Sequence, residues 1–157
     1  MRIPKIYLET SVFNFVFADD APDKKADTLK LFEEIKAGKY LPFTSGYVSE
    51  ELDRETTAKR EMMLQLLTDY GVIVLPKSAE IKRLADIYVA EGIIPAKYST
   101  DALHIAAATV NDLDFVASWN FKHIVKRKTV IMTEAVNLRN NYKKIGIFSP
   151  TEVIEND

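Results

Sequence analysis

The chain has 157 residues, of which 47% are hydrophobic and 28% charged, with a formal net charge of −2. That is the profile of one globular domain, residues 1–157, with a single continuous core. Cysteine is absent and histidine occurs only twice. Disulfides, thiolate zinc sites and cysteine nucleophiles are therefore excluded, and any metal would be held by oxygen, which selects hard cations such as magnesium or manganese. No apolar run approaches the roughly 18 residues of a membrane span, and Glu9 interrupts the N-terminal stretch where an export signal needs more apolar length. A cytoplasmic protein with no membrane contact is expected. The near-neutral charge does not decide for or against nucleic acid, because clustered carboxylates mask basic patches in the sum.

Ile6-Tyr7-Leu8 predicts a buried strand ending at Glu9-Thr10-Ser11. Phe13, Phe15 and Phe17 alternate, as in a strand or extended arm. Residues 25–36 carry Leu29, Phe32 and Ile35 at helical spacing and Gly38 at the stop. Residues 40–44 predict the second strand, with Ser45 and Ser49 as caps for a helix containing Glu50, Glu51 and Leu52. Residues 59–70 turn Met62, Met63, Leu66 and Leu67 toward a core before Gly71, and residues 72–75 predict the third strand.

A helix from Pro76 and Ser78 to about Glu91 presents Ile81, Leu84, Ala85 and Tyr88 inward and stops at Gly92. Ser99 or Thr100 caps the next, alanine-rich helix, which opens with Asp101. Residues 115–118 predict a fourth strand, 130–132 a fifth and 134–142 a late helix. Strands alternating with helices predict a parallel sheet covered on both faces, an α/β fold of three layers.

Ligand sites in such sheets collect outside the carboxyl ends of the strands. Four polar positions fall there: Glu9 after the first strand, Glu51 in the helix after the second, Asp101 opening its helix and Asn120 after the fourth. Three carboxylates drawn together raise one another's proton affinity unless a cation neutralises them. Magnesium keeps several waters, which leaves room for a phosphodiester and an attacking water.

Each position also has a structural explanation. An acid in a helix's first turn complements the macrodipole, which covers Asp101. Glu51, beside Glu50 and Asp53, fits a solvated helix face, and Asn120 an Asx turn. Glu9 is harder to explain, because a carboxylate abutting a buried strand needs a partner. His104 fits a packed, hydrogen-bonded core position, and Trp119 beside a strand fits core filling. The basic run from Lys122 to Lys128 fits either phosphate contacts or a cationic helix C-terminus.

With these residues assembled, the chain resembles the PIN-domain family, the ribonuclease fold of VapC-like toxins in VapBC-type toxin–antitoxin pairs. The resemblance lies in Tyr7-Leu8-Glu9-Thr10-Ser11-Val12, in Ser45 through Glu51-Leu52, in Asp101-Ala102 with Ile105-Ala106-Ala107, and in Ser118-Trp119-Asn120-Phe121. It implies a PIN-like three-layer α/β/α domain with a central parallel sheet. It also implies metal ligation by Glu9, Glu51 and Asp101, a catalytic set of these with Asn120, and Mg2+ or Mn2+ as cofactor. RNA would be the substrate, an antitoxin a partner, and a homodimer the assembly. Two positions depart from the family pattern. Glu9 stands where aspartate is usual, and neutral Asn120 leaves a formal −3, which suits one ion better than two. A catalytically weak or inactive PIN-like module that binds RNA or a protein partner is the competing expectation. Phosphoryl transfer through an aspartyl intermediate is disfavoured, because Glu9-Thr10-Ser11 lacks the strand-end aspartate.

Overall fold

A computed structural model describes residues 2–155. Five strands form one parallel sheet: β1 (Lys5–Leu8), β2 (Leu41–Ser45), β3 (Ile73–Leu75), β4 (Phe115–Ala117) and β5 (Gly146–Phe148), in the order β3-β2-β1-β4-β5. Around them lie α1 (Thr10–Phe15), α2 (Pro22–Lys36), α3 (Gly46–Leu52), α4 (Thr57–Asp69), α5 (Ala79–Ala90), α6 (Ser99–Val110), α7 (Arg127–Arg139) and α8 (Pro150–Val153). A single 3-10 turn at Ala96–Tyr98 leads into α6.

The alternation of β1 explains the layers. Successive strand side chains point to opposite faces, so Ile6 and Leu8 join a core with Val12, Phe13, Leu31, Phe32 and Met63. Tyr7 faces the other way, into a core with Ile81, Leu84, Tyr88, Ile105 and Val136. One layer is thus α1, α2, α4 and the segment around α8, and the other α5, α6 and α7. The three-layer α/β/α architecture expected from the sequence is the architecture observed.

Chain order builds outward from β1 to β2 and β3, then returns to add β4 and β5 on its other side. The strand order therefore reverses between β1 and β4. The helix after β1 packs on one face and the helix after β4 on the other. Such a reversal opens a crevice at the carboxyl ends of the two strands, and the backbone N–H of Glu9 donates to Ala117 O at its floor.

Several local expectations change. Phe13 and Phe15 belong to helix α1 and not to an extended arm. Ser45 caps α3 by accepting from the backbone N–H of Tyr47, whereas Ser49 lies inside that helix. Ser99 and Thr100 lie within α6, whose N-terminus has no side-chain cap. Leu29 and Met62 are exposed, and Leu31 and Met63 take the inward positions. Ser78 caps α5 as expected, and Gly38, with φ of +83°, ends α2 in the left-handed region that glycine adopts without strain.

The largest difference lies near the C-terminus. Residues 130–132 are not a strand but part of α7, and the expected late helix is that helix's second half. A short apolar run does not distinguish strand from helix. Here the buried face is Thr129, Thr133, Val136 and Asn137, spaced helically but mostly polar, so the apolar pattern concealed it. The actual fifth strand follows Lys143 and Lys144 and pairs only with β4.

Candidate active site

The four expected site residues come from separate elements around the crevice. Glu9 ends β1 and precedes α1, Glu51 lies in α3, Asp101 in the first turn of α6, and Asn120 in the loop after β4.

Glu9 is buried, and its Oε1 accepts from Ser11 Oγ at 2.5 Å and Ser118 Oγ at 2.6 Å. Those hydroxyls are themselves fixed. Ser11 Oγ accepts the Trp119 N–H at 2.8 Å, and Ser118 Oγ accepts the Asn120 N–H at 2.9 Å. Two serines and the backbone after β4 thus hold one carboxylate oxygen still.

Glu51 Oε1 accepts from Thr10 Oγ1 at 2.7 Å and lies 2.5 Å from His104 Nε2. The ring's other nitrogen, Nδ1, is 2.7 Å from Tyr7 OH, which is 2.7 Å from Ser45 Oγ. With Glu51 ionised, Nε2 donates to it, and in the neutral ring Nδ1 then accepts from Tyr7 and Tyr7 accepts from Ser45. Burial would lower the proton affinity of His104, but the bond to Glu51 and the charges of Glu9, Glu51 and Asp101 raise it on balance. For Glu51 burial acts upward, and the bond and charge of His104, with the Thr10 hydroxyl, hold it below the ordinary carboxylate range. Burial also holds the Tyr7 phenol far above its ordinary value.

Asp101 Oδ2 accepts from Asn120 Nδ2 at 3.3 Å and lies 3.2 Å from His123 Nδ1. Burial and then the charge of Glu9 push its proton affinity up, with a further push from Glu51 and opposition from both histidines. Asp101 therefore feels the charge of both other acids. Asn120 Oδ1 accepts from the backbone N–H groups of Lys122 and His123, which is the Asx turn, so toward Asp101 the residue acts through its amide N–H.

Each acid uses one oxygen in these bonds. Among the described residues no hydrogen bond reaches Glu9 Oε2, Glu51 Oε2 or Asp101 Oδ1. Nor are these sealed in, since the buried side-chain atoms without a partner are Asn14 Oδ1 and Thr133 Oγ1. Three carboxylate oxygens without hydrogen-bond partners fit a hard divalent cation in donor chemistry. As the side chains stand, no group of three His, Asp or Glu among the described residues forms a ready-made metal cluster.

His104 occupies the buried position expected of it, yet it is also the partner of Glu51. His123 was legible only as part of the basic run, and that run opens α7 where a helix C-terminus was one expectation. Trp119 fills the core, with Nε1–H donated to Thr28 at 2.8 Å. No helix among the described residues is long and apolar enough to cross a membrane.

No protein-family model and no curated protein matches this sequence. The structure is similar to a chain in the crystal structure of VapBC2 from Rickettsia felis bound to a DNA fragment from their promoter, with a TM-score of 0.57 and 14% sequence identity. The match covers 92% of this chain and 98% of that one. The fold is PIN-like. At that identity the likeness is one of architecture, and the side-chain geometry stands on its own.

Proposed function

We propose that this chain is a metal-dependent endoribonuclease that hydrolyses single-stranded or structured RNA, as the toxin of a toxin–antitoxin pair. The observation that carries the reading is that Glu9, Glu51 and Asp101, from three elements around the strand-order reversal, each keep one oxygen without a hydrogen bond. The PIN-like fold supports it, as does the likeness to a VapBC2 chain.

Glu9, Glu51 and Asp101 would hold one Mg2+ or Mn2+. Such an ion supplies positive charge for the phosphodiester and lowers the pKa of an attacking water. Ser11 and Ser118 orient Glu9, and His104 and Thr10 orient Glu51. Asn120 and His123 hold Asp101 Oδ2, which leaves Oδ1 free to face the ion. A homodimer and an antitoxin covering the crevice belong to the same proposal. The test is cleavage of single-stranded RNA by purified protein with magnesium or manganese. Asp101→Asn is expected to abolish it, and activity that survives that substitution overturns the assignment.

One observation favours a second reading. The acids are not preassembled into a metal cluster, which suits a non-catalytic PIN-like module that binds RNA or a protein. Calorimetric titration with Mn2+ separates the two: no binding at millimolar ion, with RNA binding intact, selects the module.

A further inference from the structure

The structure points to two aromatic stations beside the carboxylates, at Tyr98 and Phe121, on which we propose the bases of a single RNA strand stack while Lys24, Lys97 and Lys122 take its phosphates. The inference rests on the nuclease reading and names the surface that would present the strand.

The first station is built on Asp101. Its partner His123 is buried and stacks against Tyr98, with ring centroids 4.1 Å apart and an angle of 33°. Lys97 Nζ and Lys122 Nζ lie over the Tyr98 ring at 5.8 and 5.7 Å. The second station is built on Asn120. Trp119 is wedged between Phe15, at 5.6 Å, and Phe121, at 6.2 Å, and Phe121 is 48% exposed. Lys24 Nζ lies 5.4, 5.7 and 5.5 Å from the centroids of Phe15, Trp119 and Phe121. Tyr98 precedes α6, on one face of the sheet, and Phe15 ends α1, on the other, so the two stations belong to the opposite layers that bound the crevice.

Three features favour a nucleic-acid strand as the occupant. A ring beside a cation is the pairing that single-strand binders use, since every base offers a π-face and every linkage a charge; Phe121 is exposed and Tyr98 is half-buried, with one face on His123. Among the described residues, none of Lys24, Lys97 and Lys122 is paired with a carboxylate. Finally, Lys126, Arg127 and Lys128 open α7 at the positive end of its macrodipole, where cations are disfavoured. The macrodipole gives no reason for that run, and a polyanionic partner does.

The test is fluorescence anisotropy of a labelled oligouridylate of about 12 nucleotides, with EDTA present so that binding is read without cleavage. Phe121→Ala and Tyr98→Leu are each expected to weaken binding about tenfold, while Phe121→Trp and Tyr98→Phe, which keep a ring, bind as the parent does. Lys24→Gln and Lys122→Gln should each reduce the slope of log affinity against log salt by about 0.7. If the parent binds and cleaves RNA but the ring-removing variants bind equally well, the stations are overturned and the nuclease reading stands. If the parent neither binds nor cleaves, both fall together.

Discussion

Glu51 Oε1 lies 2.5 Å from Nε2 of His104, a wholly buried ring. His104 joins Ser45 and Tyr7, at the end of the sheet, to the acid on α3, so site and core share one polar chain. Replacing His104 by alanine opens a cavity and leaves Tyr7 OH without its ring partner. Glu51, being partly exposed, can turn to water. His104→Ala is therefore expected to cost about 2–4 kcal/mol, measured by urea unfolding. A loss below about 0.5 kcal/mol, the range of an ordinary surface change, would show that the chain carries no stability.

Glu9 stands where the resemblance expects aspartate, and its longer side chain has a structural reason. The additional methylene carries the carboxylate out to the hydroxyls of Ser11 and Ser118, which grip one oxygen and leave the other open. Glu9→Asp would withdraw the carboxylate by about one C–C bond, roughly 1.5 Å, and lose that grip. Under the proposed function, cleavage should fall about a hundredfold with the fold intact, because displacement by about 1 Å is enough for such a loss. Equal or higher activity of Glu9→Asp in the same RNA assay would mean that the serines do not set the acid's position.

Four of the five strands, and the places of Glu9 and Asp101 at the ends of their elements, were legible because they rest on local patterns. Ile6-Tyr7-Leu8 is a buried run stopped by an acid, and Asp101 opens a helix whose alanines pack without interruption. What was illegible rests on contacts between distant residues. Ser118 meets Glu9 across the reversal between β4 and β1, and His123 meets Asp101 across the loop after β4. The first half of the helix at residues 127–139 escaped because its buried face is mostly threonine and asparagine, and the strand at 146–148 because three residues on a sheet edge carry little apolar signal.

That polar face of α7 is itself testable. Asn137 is fully buried, and its Oδ1 accepts from Tyr88 OH of α5, while its Nδ2 donates to Thr109 of α6 at 3.4 Å. One asparagine thereby ties three helices of a single layer. Tyr88→Phe removes the donor and strands a buried carbonyl, with an expected cost of about 1–3 kcal/mol. Adding Asn137→Leu should recover part of that loss, since replacing both partners leaves no unmet group. A double variant as unstable as the sum of the single losses, read by urea unfolding, would contradict the coupling.

Asp114 supplies a pH dependence remote from the site. Its carboxylate accepts both guanidinium N–H groups of Arg2, at 2.7 and 2.8 Å, and the backbone N–H of Lys5 at 2.7 Å, with Lys143 Nζ at 3.5 Å. The Arg2 bonds first, then the Lys5 N–H and the charge of Lys143, hold it well below the ordinary carboxylate range against a smaller effect of burial. An unfolded aspartate titrates near pH 3.9, roughly, so below about pH 4 the unfolded chain binds a proton that the folded chain refuses. The stabilisation is therefore complete above about pH 5 and is lost as pH falls through the depressed folded value. Asp114→Asn should lower the melting temperature at pH 7, and the gap between variant and parent should narrow steadily below about pH 4. It should also narrow with added salt, because Arg2 is exposed and its charge screened. A gap that stays constant from pH 7 to pH 3 would show that the ion pair contributes no stability.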